Sequence, residues 1–216
     1  MKKIAVILAG CGNKDGAEIT EAVSLILCLS QSQIAVEFFA PDIEFTAVDF
    51  LTGKSLEKRN VLHESARITR SQISDVRSLD VSKFDGLALP GGYGAALHLC
   101  DWANKGSKSS VDKHVEEVLV KFHAQNKPIA AICIAPALIA RVLGKHGITV
   151  TIGNDKETAQ EIEKTGAVHE NCPVDDYVSD RNHKILTTPA YMYGEAKPAE
   201  VFQGISKLVR EFVEMA

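Results

Sequence analysis

Residues 130–140 read AAICIAPALIA, apolar throughout, with a cysteine near the centre and a proline three positions later. The stretch leading in, KPIAAIC, is a short run of small and β-branched residues opening after Asn126, Lys127 and Pro128, which predicts a buried strand. Pro136 is tolerated only in a first helical turn, where its missing N–H would have had no intrahelical partner. The helix must therefore begin at about Ile134 or Ala135, and Cys133 stands at the corner between strand and helix. At such a corner, helix N–H groups favour thiolate over thiol. Equally, Cys133 is the kind of small residue that fills a core.

Outward from this corner the chain alternates apolar strand and helix. KKIAVILAG is followed by a helix from about Ala17 to Gln31, then by IAVEFFA and, after a polar excursion, by FDGLALPGG. Further on come a helix around Val111 to His123, the PIAAIC strand, the Pro136 helix to Leu143, and ITVTI. A helix near Glu157 to Lys164 and a closing amphipathic helix from about Pro198 to Val213 complete the pattern. Such alternation predicts an α/β fold with a mostly parallel sheet covered by helices on both faces. VDDYVSDRNHKILTTP reads as a hairpin turned at Asp180, Arg181 and Asn182. Residues 41–80 break the pattern as an insertion with one expected helix from about Glu57 to Ile68. With no linker, repeat or low-complexity tract, residues 1–216 are expected to form a single domain.

Composition narrows the function classes. The chain has 216 residues, 45% hydrophobic and 24% charged, with a formal net charge of −4. Its basic residues are scattered, so no nucleic-acid role is expected. Five cysteines, at 11, 28, 100, 133 and 172, form no CxxC pair and no zinc spacing, so no metal, no disulfide framework and a reducing, cytoplasmic setting are expected. The opening MKKIAVILAGC imitates a lipoprotein signal, but its apolar core, Ile4 to Ala9, is shorter than the roughly 7–15 residues a signal needs. Nor does any stretch reach the ~18 apolar residues of a membrane span.

Ligands of an open parallel sheet bind beyond the carboxyl ends of the strands. Three of those ends carry GCGNKDGAE, LPGGYGAA and Cys133. Gly10, Gly12 and Gly16 follow GxGxxxG rather than the dinucleotide spacing GxGxxG, and the end of the second strand offers only Asp42 as an acid. LPGGYG brings bare backbone N–H groups to the mouth of the sheet, either as a tight turn alone or as an oxyanion site. Glu18, near the start of the first helix, is either a solvated helix-start acid or a carboxyl entering the same cleft as Cys133.

DGAE, LPGG, AAICIAP and the closing ILTTPA together resemble the PfpI/ThiJ superfamily of the class I glutamine amidotransferase-like fold. ILAGCGNKDGAEITEAV, LTGKSLEKRNVLHESARITR and NCPVDDYVSDRNHKILTTPAYM resemble its ElbB branch, the isoprenoid-biosynthesis glyoxalases or sigma cross-reacting proteins. The resemblance implies a flavodoxin-like three-layer sandwich with a nucleophile elbow at Cys133. It also implies Glu18 as acid/base partner, an oxyanion site from Gly91, Gly92 and the N–H of Ile134, and a homodimer. The implied activity is cofactor-independent and glutathione-independent: a lyase of hydro-lyase type converting small dicarbonyls to 2-hydroxy acids, with deglycase, peptidase and chaperone activities elsewhere in the superfamily. Two departures argue against amidase and peptidase chemistry. Ile134 follows the cysteine where peptidase-like members have histidine, and the only His-x-Glu, His114 to Glu116, lies upstream.

Three histidines, His63, His146 and His183, are candidates to approach the cleft, and Asn60, Glu64 and Arg67 share a face of the insertion helix; surface positions explain all six as well. The same low-pKa thiol would serve a different function, a redox or metabolite-sensing module without turnover. In either case Glu18 and Cys133 are expected to titrate as a unit. The thiol should ionise below its reference of about 8.5, and the carboxyl should stay protonated above its usual ~4.3.

Overall fold

The computed structural model describes residues 2–70 and 73–216; Met1 and, within the insertion, Ser71 and Gln72 lie outside them. The first half runs β1 (Lys3–Ile7), α1 (Ile19–Gln31), β2 (Ala35–Ala40), β3 (Glu44–Val48), β4 (Ser55–Asn60), α2 (Val61–Thr69), β5 (Ile73–Asp75) and β6 (Gly86–Leu89). Next come α3 (Tyr93–Leu97), α4 (Trp102–Lys105), α5 (Lys113–Ala124), β7 (Ile129–Ile132) and α6 (Ala135–Leu143). The chain closes with β8 (Thr149–Val150), α7 (Lys156–Glu163), β9 (Val168–His169), β10 (Val178–Asp180), β11 (Ile185–Thr188) and α8 (Pro198–Met215).

Seven strands form the central sheet in the order β10-β11-β7-β6-β1-β2-β5, all parallel except β10, which is antiparallel to β11. The period of two along β1 divides its side chains between two layers. Ile4, Val6 and Leu8 join α1 and α8, with Leu25, Leu29, Leu208 and Phe212 beneath them. Ala5, Ile7 and Ala9 face the other way, toward Leu119 and Phe122 of α5 and Leu138 of α6. This is a three-layer α/β/α sandwich, the flavodoxin-like architecture. Each fully buried Leu, Ile or Phe contributes about 1.5–3 kcal/mol of transfer free energy.

Two expectations about the elements need correction. The insertion helix begins at Val61 rather than near Glu57, because residues 55–60 pair antiparallel with β3. Asn60 then caps the helix, its side-chain oxygen accepting the His63 N–H at 3.1 Å. ITVTI does not join the main sheet. Its β8 residues pair with β9, while the Thr149 and Thr151 N–H groups go to the side chains of Asp180 (2.8 Å) and Thr187 (2.9 Å).

Candidate functional site

β7, β6 and β11 are neighbours in the sheet, and their carboxyl ends turn into the residues that build the site. At the end of β7, Cys133 takes φ +62°, a left-handed conformation costly for any residue with a Cβ. Its N–H donates to the carbonyl of Thr188 at the end of β11, 2.9 Å away. Ile134 then caps α6, and Pro136 lies in the first turn. The tight reversal projects the thiol off the sheet, as in a strand-to-helix nucleophile elbow.

The carboxyl that meets this thiol is that of Glu21, not of Glu18. Glu18 is the N-cap of α1, and its Oε2 accepts the N–H of Glu21 at 2.7 Å. One turn into the helix, Glu21 is fully buried, and its carboxyl stands beside the Cys133 side chain, the two meeting at Gly91. Its other contacts are backbone donors: Gly91 N–H to Oε2 and Tyr191 N–H to Oε1, each 3.1 Å. Glu18, the acid the resemblance implies, lines the cleft, while the acid beside the thiol stands one helical turn later.

The backbone donors expected to form an oxyanion site are arranged differently from the expectation. The N–H groups of Gly92 and Ile134 lie near enough to the Cys133 sulfur to favour its thiolate, whereas that of Gly91 is occupied by Glu21 and its carbonyl accepts the N–H of Glu18 at 3.0 Å. Gly91 contributes space instead. A Cβ there would stand 2.4 Å from Cys133 Cβ and 2.8 Å from Glu21 Oε2. Gly92 has φ +87° and would place a Cβ 2.4 Å from the nitrogen of Glu18, so this corner demands two glycines.

Burial dominates the acid–base state of the pair. It pushes the Glu21 carboxyl up to about 8, with the nearby Glu18 charge adding to the effect. Burial, followed by the charge of Glu21, pushes the Cys133 thiol well above its ordinary value, against the opposing pull of the Gly92 and Ile134 N–H groups. The expectation of a raised carboxyl thus applies to Glu21. The expectation of a lowered thiol is reversed, because desolvation outweighs the helix-end N–H groups. Glu18 is itself raised by burial.

The thiol opens onto a cleft of about 980 Å3. Tyr93 flanks it from the β6 corner, Tyr191 and Met192 from the β11 corner, and Trp102 and the 105–108 turn extend the wall. Among the described residues no histidine lines it. His63 is exposed on α2. His146 and His183 pack against His123, the first tilted and the second stacked, with ring centroids 4.8 and 5.8 Å away. Asn60 hydrogen-bonds Asp42 at 2.7 Å, and Glu64 pairs with Arg67 at 2.7 Å, as a polar surface. The first glycine loop closes on itself: the N–H groups of Gly12 and Asn13 both go to the carbonyl of Ala17, at 3.0 and 3.1 Å, leaving no phosphate cradle there. Among the described residues no cluster of three or more metal-ligating side chains occurs, and no helix is long and apolar enough to cross a membrane.

Sequence reasoning missed Glu21, Tyr191 and the Trp102 wall. A signal for Glu21 was present: it shares a stripe with Leu25 and Cys28 at i, i+4, i+7, an acid in an otherwise apolar helix face.

Relatives share this architecture along the whole chain. The human glutamine amidotransferase-like class 1 domain-containing protein 3, mitochondrial, is 39% identical over 99% of this chain and 83% of its own length. The rat ES1 protein homolog, mitochondrial, is 38% identical over 99% and 84%. An isoprenoid biosynthesis protein with an amidotransferase-like domain from Ehrlichia chaffeensis superposes with a TM-score of 0.92 at 34% identity, covering 99% of this chain and 100% of the other. The DJ-1/PfpI family pattern itself matches residues 2–190, and with the elbow and sandwich in place the chain belongs to the DJ-1/PfpI family.

Proposed function

We propose that the protein is a cofactor-independent glyoxalase of the ElbB type, converting glyoxal or methylglyoxal to the 2-hydroxy acid. The observation that carries this reading is the buried Glu21–Cys133 pair, set on a strained elbow with two N–H groups near the sulfur. The likeness to the Ehrlichia isoprenoid biosynthesis protein supports the ElbB assignment.

In this mechanism Cys133 Sγ adds to the aldehyde carbon as its proton passes to the carbonyl oxygen, giving a hemithioacetal. The Gly92 and Ile134 N–H groups lie next to that oxygen and stabilise its developing charge. Glu21 reacts in its ionised form: it takes the thiol proton, passes it to the carbonyl oxygen and, a carboxylate again, removes the hydrogen from the sulfur-bearing carbon and returns it to the adjacent carbonyl carbon, while the hydroxyl proton moves to the neighbouring oxygen. The first carbon is oxidised and the second reduced, so no external oxidant is needed. The resulting thioester is hydrolysed by water, breaking the C–S bond and releasing the 2-hydroxy acid with the thiol restored.

Purified protein incubated with glyoxal should yield glycolate, and Cys133→Ala should abolish it; undiminished turnover in that variant would end the proposal. A sensing cysteine without turnover fits less well, since it calls for an exposed, acidic thiol and Cys133 is 7% exposed with its pKa raised. We also propose a homodimer through α1, whose outer face presents Ile19, Val23 and Leu27 at i, i+4, i+8, each 46–48% exposed. A reducing compartment, the cytoplasm, suits five free thiols.

A further inference from the structure

A two- or three-carbon dicarbonyl uses only the floor of a cleft of about 980 Å3, a size that encloses drug-sized ligands. The composition of the walls is selective. The chain's single tryptophan, Trp102, and two of its four tyrosines line the cleft, as does none of its eight phenylalanines. Aromatic residues with a polar tip suit a wall that meets a flat ligand on one side and water on the other. Their placement follows from the sheet. Cys133 ends the strand between β6 and β11, so Tyr93 and Tyr191 rise on either side of the thiol. Tyr93 is 56% exposed and Trp102 6%; the first is free to close over a ligand, while the second is a fixed wall.

The far end is polar and largely paired, with Lys108 and Glu157 adding one charge of each sign. Glu161 takes Lys164, the Ser107 N–H at 2.8 Å and the Ser107 hydroxyl at 2.6 Å, and Lys105 pairs with Asp101 at 2.5 Å. That end offers no strong net charge to select a ligand, which leaves the aromatic middle as the discriminating part.

We infer that the natural substrate is a 2-oxoaldehyde carried on a flat, unsaturated body, its aldehyde at Cys133 and its body between Tyr93, Trp102 and Tyr191. The inference rests on the glyoxalase reading for its reaction but not for its binding geometry. The chemistry balances as for glyoxal: R–CO–CHO plus water gives R–CH(OH)–COOH, and phenylglyoxal gives mandelate.

The test compares phenylglyoxal with methylglyoxal as substrates, and mandelate with lactate as ligands of the Cys133→Ala protein. Trp102, the sole tryptophan, reports binding by fluorescence. The expected result is a kcat/KM about 10-fold or more higher for phenylglyoxal, and mandelate binding about 10-fold or more tighter than lactate. Tyr93→Ala, at an exposed position that folding tolerates, should shrink both ratios. Equal kcat/KM for the two aldehydes together with equal binding of the two acids would overturn the inference while leaving the glyoxalase reading intact. Tight mandelate binding without turnover of either aldehyde would do the opposite, sustaining the cleft assignment and removing the reaction.

Discussion

Glu21 and Cys133 face each other across Gly91, between the first turn of α1 and the end of β7, and burial raises the pKa of both. At about 8 the carboxyl is divided between its acid form and the ionised form that the proposed relay uses. Replacing Glu21 by Gln keeps one acceptor for Gly91 or Tyr191 but cannot exchange protons. Glyoxal turnover should fall about 10²-fold or more, while Glu18→Gln, which preserves the cap on α1, should fall less than about 10-fold. Equal losses in the two variants, measured as glycolate production, would place the proton relay elsewhere.

The thiol titration carries its own prediction. The Glu21 charge is one of the causes that raise Cys133, so a neutral amide at position 21 should let the thiol ionise at lower pH. Iodoacetamide alkylation of Cys133, followed by peptide mass, should show its midpoint above 9.0 in the wild type and lower in Glu21→Gln. A midpoint that does not move, or that rises, would show that the carboxyl does not act on the sulfur.

Gly91→Ala tests the packing of the corner. Its Cβ would overlap Cys133 Cβ and the Ile132 carbonyl, at 2.4 and 2.7 Å, and backbone on one side leaves little room to yield. A loss of about 1–3 kcal/mol or more is expected. Gly53→Ala, where φ is +70° but no atom lies within 4 Å, should lose only the backbone term, about 1 kcal/mol. Urea unfolding of the two variants gives the comparison, and similar midpoints would contradict the crowding.

At the opposite end of the sheet, His123 sits against His146 and His183. Burial, then the charges of those two imidazoles, lowers its pKa, and Asp180 pulls the other way. The folded state thus binds fewer protons here than the unfolded state. The stability His123 contributes is full above the unfolded value of about 6.5 and is lost as pH falls below it. Solvent at this half-exposed site keeps the effect below about 1 kcal/mol. Thermal unfolding at pH 7.5 and 5.5 should show His123→Leu losing less on acidification than the wild type, and parallel losses would dismiss His123 as the titrating group.

The α1 stripe gives a prediction on assembly. Val23→Glu puts a charge among Ile19, Val23 and Leu27 on the outer face of the helix, and analytical ultracentrifugation should show a shift from dimer toward monomer. A wild-type monomer would remove the proposed interface.

The fold was legible because the strands are apolar on both faces and Pro136 leaves only one place for the α6 start. The elbow at Cys133 followed from the same proline. The partner acid was not legible in the same way, since Glu18 and Glu21 stand three apart on one helix and only burial separates them. The thiol's acidity was misjudged for a related reason. N–H groups at a helix start can be inferred from sequence, but the desolvation opposing them depends on how deeply the packed layers cover the sulfur. The cleft walls, α3 and α4, are short helices of five and four residues, too brief for a period of 3.6 to show.

The raised thiol bears on how such a protein survives its own reactivity. A cysteine that stood permanently as thiolate would be alkylated or oxidised by any small electrophile that reached it. In the proposed reaction Cys133, its pKa raised by burial, gives up its proton only when a carbonyl occupies the space beside the Gly92 and Ile134 N–H groups. The cell's background of stray oxidants then meets an inert sulfur, and damage to the protein should track the supply of its own substrate rather than general oxidative stress.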